Sequence, residues 1–194
     1  MTVLLEADPT RFTVQEPDLP GYKDALVLAS VMLGYPDESL CLQRVSICQA
    51  VDQLPPSSVA TCLKEFGRWW VDADPGLLRQ DYVTTFDTRR GAALYVTYLD
   101  HGDNGTRGVA LYDLKHLYRT YGFQPSDEEL PDYLPTVCQF AALAPLEGAL
   151  NALVMARAAV LGIHRNLAKS KSPYAHILAA IETIIEKGVQ PCGS

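Results

Sequence analysis

Apolar residues recur at helical spacing along most of the chain, and turn-forming residues separate one repeat from the next. The clearest stripe follows Ser57, where apolar side chains fall close to three or four residues apart. Its members are Val59, Cys62, Leu63, Phe66, Trp69 and Trp70. Side chains at this spacing share one face of a helix, so the stripe predicts a helix that packs against other helices.

Capping residues, prolines and glycines mark where further helices begin and end. Asp74 followed by Pro75 is a typical helix start, because the aspartate caps free amides and proline suits the first turn. Gly122 is a typical helix end, and another helix is predicted through Leu94 and Leu99. The sequence has no sustained alternation of polar and apolar residues, which a half-buried strand would require. The pattern predicts an all-α fold, a single-domain bundle of roughly eight to ten helices.

The two ends of the chain lack the helical pattern. Prolines at positions 9, 17 and 20 interrupt the first segment, so we expect a flexible arm over residues 1–20, a helical domain over 21–188 and a short tail over 189–194. The first segment has no basic region followed by an apolar core, as a signal peptide would. An uninterrupted apolar run of the ~20 residues that span a bilayer is also absent, so direct membrane insertion is not expected.

Composition and charge narrow the class of partner. Hydrophobic residues make up 48% of the 194 residues and charged residues 20%, as in an ordinary soluble globular protein. The net charge of −7 argues against a nucleic-acid surface and fits either a basic partner or a solvated acidic surface. The five cysteines are odd in number and show no Cys-x-x-Cys spacing. We therefore expect a reduced, cytoplasmic protein.

Candidate chemistry is sparse. His101, Asp103 and His116 suggest a helical metal-dependent hydrolase, but no paired spacing places two ligands on one helix face. His101 is equally suited to the end of a helix, where a cationic imidazole interacts favourably with the helix dipole. A Gly-x-Ser-x-Gly nucleophile motif is absent, and the glycine-rich loop after His101 lacks the Lys-Ser/Thr of a phosphate loop. No catalytic residue, metal or cofactor is predicted.

Two acidic positions have alternative interpretations. Asp87 belongs to a charge run with Arg89 and Arg90, which is either solvated or locally paired. Asp132 precedes the predicted helix that contains Pro135, so it is either a helix N-cap or an anionic anchor for an arginine of a bound peptide. Both roles are compatible if one oxygen stays accessible. A capping-box pattern from residue 126 to 129 predicts a short helix just before it.

The order of these motifs over residues 22–187 resembles the NarJ branch of the TorD/DmsD/NarJ redox-enzyme maturation chaperones. The resemblance depends on Leu33-Gly34-Tyr35-Pro36-Asp37, Tyr82, Phe86-Asp87, Arg90, Leu94, His101-Gly102, Arg107-Gly108, Tyr121-Gly122 and Glu129-Leu130-Pro131-Asp132-x-Leu134-Pro135. Two positions depart from the family. Tyr133 stands where the family often has histidine, and Arg89 stands where the branch often has glycine.

The resemblance implies a cytoplasmic, all-helical chaperone without catalytic activity or cofactor. Its implied client is the apo catalytic α subunit of respiratory nitrate reductase, bound through the N-terminal segment. Binding would last until iron–sulfur clusters and the molybdenum cofactor are inserted, and would delay docking to the membrane partner. Indirect contact with molybdenum cofactor delivery proteins is also expected, and a different molybdoenzyme as client is the alternative.

A chaperone of this kind needs a groove for an amphipathic client helix, with an apolar wall and an acidic rim. The residues expected to contact the client are Tyr82, Phe86, Asp87, Arg90, Tyr118, Tyr121, Glu129, Asp132 and Tyr133. The wall is assigned to Tyr82, Phe86, Tyr118 and Tyr121. The rim is assigned to Asp87 and Asp132. Because Tyr133 replaces the common histidine, a mechanism that needs an imidazole titrating near neutral pH is not expected at this position.

Overall fold

The computed structural model describes residues 12–98, 106–124 and 129–191, and within these ranges it is a helical bundle. The helices are α1 (Tyr22–Met32), α2 (Glu38–Asp52), α3 (Ser58–Asp72), α4 (Pro75–Tyr82), α5 (Thr106–Thr120), α6 (Leu134–Leu143), α7 (Leu146–Lys169) and α8 (Ala175–Gly188). Two short strands, β1 (Phe12–Val14) and β2 (Val189–Pro191), form the only sheet among the described residues. The predicted all-α bundle of eight to ten helices is confirmed.

The helix starts follow the capping residues in the sequence. The Ser57 side chain accepts a hydrogen bond from the Ala60 amide at 3.1 Å and begins α3. Asp74 accepts hydrogen bonds from the amides of Gly76 and Leu77 at 2.8 and 3.0 Å and begins α4. These bonds satisfy backbone donors that have no partner within the helix, so local sequence determines where both helices begin.

One apolar core joins the helices. α1 packs mainly on α6, α3 on α8, and α7 on both α6 and α8. The fully buried side chains at these contacts include Leu26, Leu63, Val137, Ile163, Ile177 and Ile184. Removal of this apolar surface from water is the main driving force that holds the bundle together.

Helix α7 is 24 residues long and, by length and composition, apolar enough to cross a membrane. Half of its apolar 18-residue window is buried inside the fold. Ala152, Ala159 and Val160 are fully buried on this helix, and its neighbours are α6 and α8. The core helix of a soluble bundle has these same properties.

The two ends of the described chain pair with each other. β1 runs antiparallel to β2, with Phe12 opposite Pro191 and Val14 opposite Val189. The pairing continues as the Gln15 amide donates to the Gly188 carbonyl at 2.9 Å. Residues 12–15 of the predicted arm and residues 188–191 at the start of the predicted tail are therefore joined through their backbones.

The region after α4 departs from a regular helix. α4 continues as a π-helical turn over Val83–Asp87, and a 3-10 turn follows over Arg90–Ala92. The helix predicted through Leu94 does not form at residues 94–97, because Tyr95 pairs as a β-bridge with Tyr133 instead. The capping-box helix predicted from residue 126 begins outside the described ranges, which leave out residues 125–128.

Candidate functional site

Residues 129–133, called here the 129–133 segment, are held by polar contacts from several parts of the fold. The Tyr95 hydroxyl donates to Glu129 Oε1 at 2.9 Å. The Tyr118 hydroxyl donates to the Pro131 carbonyl oxygen at 2.8 Å. The hydroxyls of Tyr82 and Tyr133 lie 2.9 Å apart. Residues from α4, α5 and the extended stretch before α5 therefore converge on one short segment.

Asp132 lies at the centre of this segment and is fully buried, with 0% of its surface exposed. Its Oδ2 accepts hydrogen bonds from the backbone amide of Thr97, at 3.3 Å, and from the Thr97 hydroxyl. The N-cap position of α6 is occupied by Tyr133, without a side-chain capping bond. The N-cap prediction for Asp132 is therefore wrong, and the accessible oxygen that an anchor would need is not present in this conformation.

The charge of Asp132 is compensated inside the fold. Arg107 Nη2 lies 3.5 Å from Asp132 Oδ2. The guanidinium also lies over the rings of Tyr95 and Tyr98, at 5.9 and 5.4 Å from their centroids. A buried carboxylate is costly unless it is paired and hydrogen-bonded, so Arg107 and Thr97 make the position of Asp132 possible.

The aromatic residues assigned to the groove wall lie mostly in the core. Tyr82 and Phe86 are 5% and 4% exposed, and their rings contact Tyr174. Burial raises the pKa of the Tyr82 phenol far above its usual value, so the hydroxyl stays protonated and donates to the Leu33 carbonyl at 3.0 Å. Tyr118 is 1% exposed. These three rings support the fold and do not form an open wall.

The other predicted contact residues are more accessible. Asp87 and Glu129 are exposed, and Tyr133 is half-buried. Tyr121 is also half-buried and packs closely on Gly148, where a Cβ atom would lie 2.8 Å from the tyrosine ring. Arg90 begins the 3-10 turn, and the structure describes its backbone only.

A cavity of about 620 Å³ lies between the end of α3 and α4. It is lined by Trp69, Asp72, Ala73, Asp74, Leu77, Leu78, Gln80, Asp81 and Thr84. This site was not predicted, because Asp74 has the pattern of a helix cap and Trp69 belongs to the apolar stripe of α3. A signal was nevertheless present: Leu77, Asp81 and Thr84 have the spacing of one helix face, which combines apolar and acidic side chains.

The described residues contain no group of three or more His, Cys, Asp or Glu side chains that could hold a metal ion. His116 is exposed and stacks on Tyr112, with 6.3 Å between the ring centroids. His101 and Asp103, the other members of the hypothetical hydrolase site, lie outside the described ranges. The described part of the chain thus offers no support for metal-dependent chemistry.

Comparison with known proteins identifies related sequences. A model of the nitrate reductase delta subunit family matches residues 52–187. A protein of Bacillus subtilis (strain 168), named as a probable nitrate reductase molybdenum cofactor assembly chaperone NarJ, is 33% identical over 80% of this chain and 86% of its own length. The Escherichia coli (strain K12) nitrate reductase molybdenum cofactor assembly chaperone NarJ is 32% identical over 66% of this chain and 55% of its own length.

A solved structure supports the same fold. A candidate redox enzyme maturation protein from Archaeoglobus fulgidus superimposes with a TM-score of 0.62, over 84% of this chain and 93% of that chain. Its sequence is 20% identical, so this likeness concerns the fold. The sequence matches and the shared fold confirm the resemblance to the NarJ branch that the motifs indicated. The chain belongs to the nitrate reductase delta subunit family.

Proposed function

We propose that this protein is a cytoplasmic, non-catalytic chaperone that assists cofactor insertion into respiratory nitrate reductase, before the enzyme assembles at the membrane. The observation that carries the proposal is the family match over residues 52–187, together with relatives named for this assembly step. The acidic net charge of −7 is consistent with a partner segment that carries basic residues.

The proposed client is the apo catalytic α subunit, held through its N-terminal segment. The chaperone keeps this segment occupied while iron–sulfur clusters and the molybdenum cofactor are inserted, and it thereby delays docking to the membrane partner. The exposed carboxylates of Asp87 and Glu129 support this proposal, since accessible acids attract a basic peptide. Tyr121, Tyr133 and Arg90 are the other proposed direct contacts.

Four of the residues predicted as contacts are proposed to act from inside the fold. Tyr82 and Phe86 hold the π-helical turn against the core, and Tyr118 holds the 129–133 segment through the Pro131 carbonyl. Asp132 fixes the same segment to Thr97. Their contribution to client binding is to preorganise the accessible residues around them, which lowers the ordering cost of association.

Tyr133 does not change its charge near neutral pH, whereas a histidine at the same position would. Burial raises the pKa of the Tyr133 phenol above its usual value, so the hydroxyl stays neutral across the physiological range. The Tyr82 hydroxyl donates its proton to the Leu33 carbonyl, so Tyr133 donates to Tyr82. Client binding is therefore expected to be insensitive to titration of residue 133 near neutral pH.

Calorimetric titration with a synthetic peptide of the α subunit N-terminal segment tests the proposal. A scrambled peptide of the same composition is the control, since it keeps the net charge but not the pattern of apolar positions. We expect a dissociation constant between about 1 μM and 1 nM for the native peptide, or roughly 8–12 kcal/mol. Equal binding of both peptides, or none, contradicts the proposal. Binding of the corresponding segment of another molybdoenzyme alone would identify a different client.

A further inference from the structure

The cavity between α3 and α4, called here the α3–α4 groove, combines an apolar surface with carboxylates. Leu78 is 1% exposed, while Leu77 is 65% exposed and Trp69 is half-buried. An aliphatic side chain with most of its surface in water gains free energy when a partner covers it. The apolar lining therefore favours a partner that presents apolar side chains.

The size of the groove determines how much of a partner it accepts. Its volume of about 620 Å³ falls within the range of ordinary ligand sites, roughly 300–1,000 Å³. A helix with its side chains is about 10–12 Å across, so the groove accommodates side chains from one face of a helix and not the whole helix. Apolar residues three and four apart on that face are the usual anchors in such a groove.

Three carboxylates line the groove, and they differ in how far the fold uses them. Asp74 Oδ1 accepts hydrogen bonds from the amides that begin α4. Asp72 is exposed at the end of α3. Asp81 is half-buried, and its Oδ2 is buried without a hydrogen-bond partner among the described residues. Among the three, Asp81 is therefore the carboxylate whose hydrogen bonding is incomplete at a buried oxygen.

The electrostatic environment of Asp81 is unfavourable to its own charge. Burial raises the pKa of the Asp81 carboxyl, and the nearby charge of Arg89 lowers it by less. A cation that reached the carboxylate would replace lost solvation with a charge-assisted hydrogen bond. A lysine or arginine side chain of a bound helix is suited to this position, whereas the phosphates of a nucleic acid would be repelled.

The walls of the groove are fixed before any partner binds. The Arg44 guanidinium of α2 donates to the carbonyl oxygens of Trp70 and Ala73, at 2.7 Å each, and holds the end of α3. The cap by Asp74 holds the start of α4 in the same way. Walls held by hydrogen bonds lose little conformational entropy when a ligand binds.

We propose that the α3–α4 groove receives the apolar face of an amphipathic helix in the client's N-terminal segment, and that Asp81 accepts a hydrogen bond from a lysine or arginine of that helix. The proposal rests on the proposed function, because it names the surface by which the same client is held. It adds Leu77 and Asp81 as residues that determine specificity, one for apolar side chains and one for a cation.

The test measures calorimetric affinity for the synthetic α subunit peptide with two groove variants, Asp81→Asn and Leu77→Ser. Asp113→Asn on α5 is the matched control for the carboxylate, since Asp113 Oδ2 is also buried without a partner among the described residues. Leu42→Ser on α2 is the control for the leucine, since Leu42 is 80% exposed. Circular dichroism melts of all four variants verify that each is folded.

We expect each groove variant to bind the peptide about tenfold more weakly than wild type, and each control variant to bind as wild type does. Wild-type affinity in both groove variants overturns the inference and leaves the proposed function intact. Equal weakening in the control variants also overturns it, because binding would then depend on the whole acidic surface. If the wild type itself does not bind, the proposed function fails first.

Discussion

The 129–133 segment and the α3–α4 groove each contain a buried aspartate oxygen, but the fold treats the two carboxylates differently. Asp132 is fully buried and is paired with Thr97 and Arg107. Asp81 is half-buried beside an open cavity, and its Oδ2 has no hydrogen-bond partner among the described residues. Asp132 Oδ1 also has no hydrogen-bond partner among the described residues, but Asp132 is enclosed in the fold, whereas Asp81 lines the cavity. The aspartate in the family motif is therefore held inside the fold, while the aspartate outside it lies where a partner can approach.

The 129–133 segment and the α3–α4 groove contribute to one function in different ways. The 129–133 segment organises the fold, since α4, α5 and the stretch before α5 all contact it. The groove is exposed and its apolar surface is only partly covered. We therefore expect substitutions in the segment to affect stability first, and substitutions in the groove to affect client binding first.

Of the substitutions considered, Asp132→Ala is expected to lower the free energy of unfolding the most. This substitution leaves the Arg107 guanidinium without its carboxylate, and breaking a buried ion pair costs about 3 kcal/mol. Urea denaturation measures the free energy of unfolding. Asp87→Ala is the control, because Asp87 is exposed and its loss should change stability by less than about 0.5 kcal/mol. Equal small effects of both substitutions would remove the distinction between the segment and the surface.

Tyr133, Tyr82 and the Leu33 carbonyl form a chain of two hydrogen bonds. Two single substitutions show which of these bonds contributes more to the free energy of unfolding. Tyr82→Phe leaves the buried Leu33 carbonyl without its donor, so we expect a loss of about 1–2 kcal/mol. Tyr133→Phe removes only the outer bond and should cost about 1 kcal/mol or less, since Tyr82 keeps its bond to Leu33. The same denaturation experiment applies, and a larger loss in Tyr133→Phe would reverse the proposed order.

The stability of the fold should depend on pH through the Asp81 carboxyl. Burial raises the Asp81 pKa, so the folded state binds this proton more tightly than the unfolded state. The associated stability is present below the usual aspartate pKa of about 4 and is lost as the pH rises through the raised value. Asparagine does not ionise, so Asp81→Asn should melt at or above the wild-type temperature at neutral pH. The difference should vanish in thermal melts well below pH ~4.

A lower melting temperature for Asp81→Asn at neutral pH would contradict this prediction. It would mean that the carboxylate stabilises the fold and is not reserved for a partner. Asp113→Asn, measured in parallel, shows how much of any change belongs to the loss of a half-buried carboxylate in general.

The smallest expected effect on stability is that of Leu77→Ser. Leu77 is 65% exposed, and surface substitutions of this kind change the free energy of unfolding by less than about 0.5 kcal/mol. A substitution that leaves stability unchanged while weakening peptide binding would sharpen the contrast between the groove and the 129–133 segment. A loss above about 1 kcal/mol would show that the leucine packs within the fold.

The parts of the fold that depend only on neighbouring residues could be predicted from the sequence. Ser57 and Asp74 begin their helices as capping chemistry predicts, and the α3 stripe packs into the core. The N-cap prediction for Asp132 was wrong because an aspartate shortly before Pro135 matches the local pattern of an N-cap. In the fold, Asp132 is instead bound by Thr97, which lies 35 positions away in the chain. Contacts of that range are not encoded in any local pattern.

The candidate site was predictable only in part for the same reason. Aromatic residues at helical spacing, such as Tyr82 and Phe86, are compatible with a groove wall or with a core, and tertiary packing placed them in the core. Leu77 and Asp81 have ordinary helical spacing. Only the position of α4 beside the end of α3 turns that face into a groove.

A double-mutant cycle between Asp81 and the client peptide tests the central claim most directly. Wild type and Asp81→Asn are each titrated with the native α subunit peptide and with a peptide whose lysine or arginine is replaced by glutamine. If Asp81 accepts a hydrogen bond from that cation, the two losses overlap, and the coupling energy should reach about 1.5 kcal/mol. Losses that add to within about 0.5 kcal/mol would mean that the two groups do not meet, and would contradict the account.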